Sequence, residues 1–216
     1  AEPSKQLGKY LLLEILGEGA SARVYRAIQA GPMGFRKQVA VKQILPHVIR
    51  NHQAVRGLIN EARLGGHLHH RNLVEMYEFD QDGQDFFIAM ELVPGNTLAQ
   101  VLLRTHVQGS IPPAAVAEIA VQLTEGLAYA HTATDELGQP LNLIHRDLKP
   151  GNVMITPGGL IKIMDFGVAK SAANLYHTQV ENVTRGTPSY MSPEQVRGAA
   201  LDHRSDLFGL GTLLVG

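Results

Sequence analysis

The stretch of sequence that decides the fold reads His-Arg-Asp-Leu-Lys-Pro-Gly-Asn over residues 145–152. Pro150 keeps it out of a regular helix, because the proline ring removes a backbone donor and clashes with the preceding turn. Asp147 can accept a proton, Lys149 can neutralise a phosphoryl group, and Asn152 offers an oxygen to a hard cation. Apolar strand candidates flank the stretch. We therefore interpret it as a chemically active loop and not as a solvated polar loop.

A second acidic position, Asp165, follows an apolar strand candidate at residues 161–164 and begins the tripeptide Asp-Phe-Gly. That tripeptide is common and indicates little by itself. An Asp at the end of a buried strand can present its carboxylate to Mg²⁺. Because Asp165 lies thirteen positions after Asn152, we predict that the two residues supply the oxygen ligands of one metal site.

Lys42 ends the apolar run Val-Ala-Val-Lys, residues 39–42, within a strand candidate. Taken alone, this lysine is more simply interpreted as a solvent-facing side chain. Glu61 lies nineteen positions later on a helix candidate, residues 53–68, whose apolar residues recur at helical spacing. A Lys–Glu pair in a cleft would hold the ammonium group in place for contact with a phosphate.

A glycine-containing turn, residues 16–24, joins the first two strand candidates. Gly17 and Gly19 have no side chains, so backbone N–H groups in the turn can approach phosphates closely. In isolation the motif is more simply an ordinary hairpin. Its place between two strands, and not before a helix, argues against a dinucleotide-binding fold.

Periodicity divides the chain into a strand-rich part and a helix-rich part. Before the Pro-Gly pair at 94–95 lie five strand candidates, at residues 10–16, 23–29, 38–44, 74–80 and 85–93. After that pair, a helix candidate at residues 112–131 carries its apolar residues on one face. Two short strand candidates follow, at 153–155 and 161–164, and the polar residues 171–188 are typical of a loop. We predict two lobes, residues 1–93 and 94–216.

The composition is that of a folded globular domain, with 216 residues of which 44% are hydrophobic and 18% are charged. A formal net charge of −1 gives no indication of a nucleic-acid partner or an anionic membrane. The lack of cysteine excludes disulfides and thiolate-bound zinc and fits a cytoplasmic protein. The longest apolar stretch near the end, residues 207–215, is too short to span a bilayer. No signal for an oligomeric state is visible.

Taken together, the order and spacing of these motifs resemble the protein kinase family from about residue 10 to the end of the chain. The resemblance implies an α+β fold of two lobes. The small lobe would hold an antiparallel five-stranded sheet and one helix, and the large lobe would be mainly helical. ATP and Mg²⁺ are the implied cofactors, and proteins are the implied substrates.

The resemblance also assigns roles to individual residues. Asp147 would be the catalytic base and Lys149 would steady the γ-phosphate. Lys42, oriented by Glu61, would hold the α- and β-phosphates. The metal ligands would be Asn152 and Asp165. The other cofactor-binding residues would cover the phosphates or enclose the adenine, with a gatekeeper at 90 and a hinge at 91–93: Gly17, Gly19, Val24, Ala40, Met90, Glu91, Val93 and Met154.

Two features resemble the serine/threonine branch of the family, in which Ser and Thr hydroxyls of proteins accept the phosphate. Lys149 lies two residues after Asp147, and Thr187 matches the threonine that lines the hydroxyl site. The Ser-Pro-Glu-Gln sequence at 192–195, with Gly151 before the metal-binding Asn, is most similar to bacterial eukaryotic-like kinases.

Arg146, directly before the catalytic Asp, implies activation by phosphorylation of the activation segment, residues 165–194. A phosphate there could pair with Arg146 and order the segment. Thr178 and Thr184 are the candidate sites, with Thr184 preferred for its position near residue 186. The alternative is that both are ordinary loop threonines.

The sequence departs from the family pattern at two positions in the small lobe. Ala22 stands where a third loop glycine is usual, which predicts altered ATP affinity without loss of activity. Gly65 stands where the family packs an aliphatic side chain against Met76 and Phe166. We therefore expect the hydrophobic column between the lobes to be thin there.

The end of the chain is the largest departure. A helix candidate that begins near Ser205 and Asp206 resembles the buried helix of the large lobe, and the chain stops inside it. We expect Asp206 to bind the backbone around residues 145–146. Glu194 would lack its usual Arg partner, and the isolated chain would be less stable than a full domain. The chain would be a fragment of a longer protein, in which a membrane anchor could follow.

Two other classes of protein remain as alternatives. A nucleotide-binding pseudokinase or scaffolding module would share the fold, but it would usually lack at least one of the five polar residues Lys42, Glu61, Asp147, Asn152 and Asp165. A small-molecule phosphotransferase of related fold would lack the peptide-docking segment at 186–194.

Overall fold

The computed structural model describes residues 5–108, 111–166 and 188–215; at residues 52–54, 60, 61, 106–108 and 188 it describes the backbone alone. The first sheet contains Gln6–Leu7 (β1), Tyr10–Glu18 (β2), Ala22–Ala30 (β3), Arg36–Ile44 (β4), Met76–Asp82 (β5) and Asp85–Met90 (β6). The second contains Asn96–Thr97 (β7), Val153–Ile155 (β8) and Ile161–Ile163 (β9). The helices are Pro46–Ile49 (α1), His52–Gly65 (α2), Leu98–Gln108 (α3), Pro113–His131 (α4), Pro193–Val196 (α5) and Arg204–Val215 (α6).

The first sheet has the order β1-β2-β3-β4-β6-β5, and each neighbouring pair is antiparallel. The five predicted strands are present, and the two-residue β1 is added at one edge. Strand β4 lies in the middle and is buried from Val39 to Ile44. Strand β6 ends at Met90, so residues 91–93, which the sequence placed in the strand, form an extended connection instead.

Helix α2 covers one face of the first sheet. Leu58 on this helix joins a buried cluster with Ala22, Ile44 and Ile88. The predicted helix at 53–68 ends three residues early, at Gly65, since two consecutive glycines there favour leaving the helix. The small lobe therefore has the one predicted helix plus the single turn α1.

The larger core lies between the second sheet and helices α3, α4 and α6. Leu123 and Leu127 of α4 are almost fully buried against Ile161 and Ile163 of β9. Pro112 and Pro113 begin α4 as predicted, because the first helical turn has no intrahelical use for their missing N–H groups. Helix α3 was not predicted.

The fold confirms the predicted α+β class with a strand-rich small lobe and a mainly helical large lobe. The division at residues 93 and 94 remains a prediction. The predicted loop at 171–188 falls almost wholly outside the described residues. Among the helices in the described ranges, none has both the length and the apolar character needed to cross a bilayer.

Candidate active site

Lys42 and Asp165 form an ion pair between the two sheets. Lys42 lies on β4 opposite Val24 of β3 and Ile88 of β6, and its side chain is 9% exposed. Its Nζ lies 2.5 Å from Oδ1 of Asp165, just beyond β9. Desolvation raises the pKa of the Asp165 carboxyl, but the charge and the hydrogen bond of Lys42 outweigh it, and the net pKa is lowered. The Asp is therefore held ionised.

Residues 145–152, the predicted catalytic loop, bring their three predicted polar side chains together. Oδ2 of Asp147 lies 3.0 Å from Nζ of Lys149. The side-chain amide of Asn152 donates to the same oxygen at 3.1 Å and to the Asp147 carbonyl at 2.9 Å. Because the Asn152 nitrogen is used in this way, its side-chain oxygen is the atom that would meet a cation.

His145 connects the catalytic loop with the segment around Asp165. Its Nδ1 accepts a hydrogen bond from the Asp147 N–H at 3.2 Å, and its Nε2 lies 2.8 Å from the Met164 carbonyl oxygen. These two contacts select the tautomer with hydrogen on Nε2, since a carbonyl can only accept. The ring also meets Phe166 edge to face, with centroids 4.8 Å apart.

Asp206 on α6 anchors the backbone of the catalytic loop. Its side chain is 1% exposed. It accepts hydrogen bonds of 2.8 Å from the backbone N–H groups of His145 and Arg146, and its Oδ2 lies 2.8 Å from Nε2 of His131. The expectation for Asp206 is thus confirmed. The anchor also explains how Arg146 is held at a φ of 65°, a left-handed conformation that costs free energy for a residue other than glycine.

Gln195 is a residue near the site that the sequence reasoning missed. Ser192 begins α5 in a capping box with Gln195, and the Gln195 Nε2 also donates to the Arg146 carbonyl at 2.8 Å. The signal was available in the sequence as Ser-x-x-Gln, a helix-capping pattern. Its second contact, with the catalytic loop, depends on the tertiary structure.

Glu194 is not the buried, unpartnered carboxylate that was expected, because a serine hydroxyl among the described residues binds it in place of the usual arginine. Its Oε1 accepts a hydrogen bond of 2.6 Å from the hydroxyl of Ser205, and the residue is only half-buried. This hydrogen bond lowers the pKa of the Glu194 carboxyl. The Glu194 carboxylate is therefore hydrogen-bonded even without the usual arginine.

The glycine-containing turn lies at the end of the β2–β3 hairpin. Gly17 pairs with Val24, and the Gly19 N–H donates to the Ala22 carbonyl at 2.9 Å, which closes the turn. A Cβ added at Gly17 would meet no atom within 4 Å. Packing inside the protein therefore does not require glycine there, and open space adjoins this backbone. Ala22 is buried in the cluster with Ile44, Leu58 and Ile88, which gives a packing reason for its methyl group.

The residues predicted around the adenine lie on three neighbouring segments. Ala40 on β4 pairs with Met90 at the end of β6, and Glu91 and Val93 follow, half-buried. The Glu91 N–H donates to the Glu75 carbonyl at 2.8 Å, so a hydrogen bond from Glu91 to adenine would use its carbonyl oxygen. Met154 lies on β8 in the second sheet, opposite Thr97.

A small cavity of about 30 Å³ lies behind Met90 and adjoins the Lys42–Asp165 pair. Gly65, Met76 and Phe166 line part of it. A Cβ added at Gly65 would lie 3.0 Å from the terminal methyl of Met76. The hydrophobic column is therefore not simply thinned at Gly65, because the Met76 side chain reaches into the space that a larger residue would fill.

Several predicted residues fall outside what the structure describes. The side chain of Glu61, the partner expected for Lys42, is one. Gly167, Thr178, Thr184 and Thr187 of the activation segment are the others.

The donors present fit Mg²⁺. Asn152 and Asp165 are oxygen donors, and the Met164 N–H donates to the Asn152 carbonyl at 2.9 Å, which keeps the two segments adjacent. Among the residues that the structure describes, no group of three His, Cys, Asp or Glu side chains could hold a metal. Mg²⁺ usually binds one or two carboxylates and completes its shell with phosphates and water, so the oxygens of Asn152 and Asp165 would suit it.

Comparison with known proteins identifies the family. The model of the protein kinase domain matches residues 10–216, so the chain belongs to the protein kinase family. It is 37% identical over 208 residues to the tyrosine-protein kinase MasK of Myxococcus xanthus, covering 96% of this chain and 32% of that protein. It is 36% identical to the serine/threonine-protein kinase pkn3 of the same species, covering 95% and 37%. Against the serine/threonine-protein kinase PknL of Mycobacterium tuberculosis the identity is 34%, covering 95% and 48%.

These bacterial relatives confirm the family prediction, and the chain spans only about a third to a half of their length. The fold is similar to that of the Mycobacterium tuberculosis PknI kinase domain, with a TM-score of 0.73 and 25% identity. That comparison covers 98% of this chain and 74% of the solved one.

Proposed function

We propose that this chain transfers the γ-phosphate of ATP to serine and threonine hydroxyls of protein substrates. The observation that carries the proposal is the contact of the Asp147 carboxylate with both Lys149, at 3.0 Å, and Asn152, at 3.1 Å. It supports the proposal because a carboxylate that can accept a proton, an ammonium group and an amide oxygen that could bind a metal belong to one group of contacting side chains.

Each side chain has a part in the proposed reaction. Asp147 accepts the proton of the substrate hydroxyl, and the hydrogen bond from Asn152 holds its carboxylate in place. The ammonium groups of Lys149 and Lys42 neutralise charge on the phosphates. Mg²⁺, when bound by Asn152 and Asp165, would neutralise further charge on the phosphate oxygens.

Lys42 has a second consequence for the metal. Because its ammonium group lowers the pKa of Asp165, the carboxylate remains ionised at neutral pH and available to a cation. A cation would compete with Lys42 for that carboxylate, and the phosphates of ATP offer Lys42 a replacement partner. Glu61 is proposed as the residue that orients Lys42 once Lys42 contacts the phosphates in place of Asp165.

Specificity for serine and threonine is the finer part of the proposal. Lys149 near Asp147 supports it, as do the two relatives named serine/threonine kinases. The relative named a tyrosine kinase makes tyrosine the alternative acceptor. Since ATP is a cytoplasmic metabolite, we place the reaction in the cytoplasm.

We also propose activation by phosphorylation of Thr184 or Thr178. Asp206 and Gln195 fix the backbone of Arg146, and the Nε of its guanidinium is buried with no hydrogen-bond partner within the described part of the chain. A buried guanidinium donor favours an anionic partner, and a phosphate is the anion that a threonine of the activation segment can acquire.

Transfer of labelled γ-phosphate from Mg·ATP to an acceptor protein tests the proposal. Asp147→Asn should lower the rate about 10²- to 10⁴-fold, the usual contribution of a general base. Asp202→Asn, which changes a half-exposed carboxylate in the same lobe, is the matched control and should leave the rate unchanged. Acid hydrolysis of the product should give phosphoserine and phosphothreonine.

If the product contained phosphotyrosine alone, the chain would be specific for tyrosine and not for serine and threonine. Nucleotide binding without transfer by the parent protein would identify a nucleotide-binding module instead of an enzyme.

A further inference from the structure

Lys162 is a positively charged residue at a buried position. It is the middle residue of β9, and all three residues of that strand are buried. Its side chain is 11% exposed. Removing an ammonium group from water is unfavourable unless it is paired, so its partners are informative. It was missed in the sequence, although it lies between two isoleucines much as Lys42 follows an apolar run.

Lys162 has one partner beside its own strand, the carbonyl of Leu73, and one partner beyond the first sheet, the carboxylate of Glu91. Its Nζ lies 2.6 Å from Oε2 of Glu91 and 3.2 Å from the carbonyl oxygen of Leu73. Glu91 directly follows β6 of the first sheet, whereas Lys162 belongs to the second sheet. The Glu91 side chain is itself three-quarters buried. The pair is thus a largely desolvated contact between the two sheets.

The backbone around this pair reinforces it. The Glu91 N–H donates to the Glu75 carbonyl at 2.8 Å, and the Glu75 N–H donates to Oε2 of Glu91 at 3.3 Å. The Val74 N–H donates to the Ile163 carbonyl at 2.9 Å. Residues 73–75 therefore lie between Glu91 and β9 and are bonded to both.

The two ends of this network coincide with the two ends of the proposed ATP site. Glu91 belongs to the proposed hinge that would bind adenine, and Lys162 precedes the proposed metal ligand Asp165 by three residues. ATP has a limited reach, so its adenine and its phosphates are both well placed only if these two segments keep their spacing. A misplacement of about 1 Å can cost about 10²-fold in rate.

We propose that Lys162 and Glu91 are a positioning pair, which holds the hinge at a set distance from the strand that leads to Asp165 and so determines the affinity for ATP. The inference rests on the proposed function for its catalytic consequence. It does not depend on that function for its effect on the hinge.

The variants for the test change charge with little change of shape. Glu91→Gln removes the anion, Lys162→Met removes the cation, and Lys162→Arg retains it. The matched control is Glu14→Gln, which breaks an exposed ion pair with Arg26 (2.8 Å) in the first sheet. Such surface pairs contribute little to stability.

We expect Glu91→Gln and Lys162→Met to raise the KM for ATP about tenfold, a difference of about 1.4 kcal/mol. The KM for the acceptor protein should stay within about twofold of the parent value, since a positioning effect at the hinge is confined to the nucleotide. Lys162→Arg should restore most of the affinity. The double variant should be no worse than the poorer single variant, because the two residues act through one contact.

Hydrogen exchange in the nucleotide-free protein gives a second readout that needs no catalysis. The amides of Glu91 and Val74 should exchange faster in both charge-removing variants than in Glu14→Gln. Unchanged KM for ATP together with unchanged exchange would overturn the inference, as would a fall in stability with kcat and both KM values unaltered. If the parent protein transfers no phosphate, the proposed function fails, and exchange alone still decides whether the pair holds the hinge.

Discussion

Nζ of Lys42 in the central strand β4 lies 2.5 Å from Oδ1 of Asp165, which follows the last strand of the second sheet. Lys42 was predicted in an apolar strand and Asp165 after a different strand. The two side chains thus meet between the two sheets. The contact joins the proposed phosphate-binding residue with a proposed metal ligand.

The Lys42–Asp165 pair should make stability depend on pH in the acid range. Because the net pKa of Asp165 is lowered in the folded protein, the pair stabilises fully above the pKa of an unfolded Asp, about 3.9, and this contribution is lost as the pH falls further. Lys42→Met should therefore be less stable than the parent at pH 7, and the difference should narrow below about pH 4. Urea denaturation at several pH values measures it.

Lys37→Met is the matched control for that experiment. Lys37 lies on the same strand and its Nζ contacts the Tyr77 ring, 3.6 Å from the centroid, and not a carboxylate. Its effect on the free energy of unfolding should not change between pH 7 and pH 3. The role of the pair would be contradicted if the difference in the free energy of unfolding between the parent and Lys42→Met were also the same at pH 7 and pH 3.

Asp206→Asn should destabilise the protein by about 3 kcal/mol, because the buried carboxylate accepts hydrogen bonds from two backbone N–H groups and contacts His131. An amide has one acceptor oxygen where the carboxylate has two. Thermal and denaturant unfolding measure the loss. Asp202→Asn should cost less, because Asn at this half-exposed position can still accept from the Arg204 N–H and loses only a surface ion pair with the Arg204 side chain. Equal losses of stability in the two variants would mean that the hydrogen bonds of Asp206 to the backbone of residues 145 and 146 contribute no more than a surface contact.

Gly95→Ala should destabilise the chain by about 3 kcal/mol or more, since backbone rather than a movable side chain blocks the added methyl. Gly95 has a φ of 139°, and a Cβ there would lie 2.1 Å from the Ile155 carbonyl oxygen. Gly138→Ala separates strain from clash, because Gly138 has a φ of 76° with open space around it. It should cost about 1–2 kcal/mol, the usual penalty of the left-handed conformation. Similar losses of stability in the two variants would mean that the contact of the added methyl with the Ile155 carbonyl at position 95 has no effect of its own.

Thr184→Ala should lower the rate of phosphate transfer severalfold, and Thr178→Ala should lower it less. The physical reason is the proposed pairing of a phosphate on Thr184 with the Arg146 guanidinium. Initial rates before and after phosphatase treatment measure the effect. In Arg146→Gln the two rates should be equal. If phosphatase treatment changes no rate in the parent protein, both threonines are ordinary loop residues.

The sequence by itself determined the features that depend on residues close together in the chain. Pro150 interrupts the backbone where Asp147, Lys149 and Asn152 must come together, and their contacts follow from a spacing of five residues. The apolar periodicity of α4 and the alternation in the first five predicted strands likewise depend on neighbours in sequence, so these elements were predicted nearly to their ends.

Only the tertiary structure decided which distant residues share a partner. Glu91 and Lys162 are seventy-one positions apart, and nothing local distinguishes a lysine that finds a buried carboxylate from one that reaches solvent. Gln195 reaching the Arg146 carbonyl, Ser205 serving Glu194 and Met76 occupying the space beside Gly65 are of the same kind. Each depends on the packing of segments that the sequence separates, because burial creates the demand for a partner and the fold determines which partner is within reach.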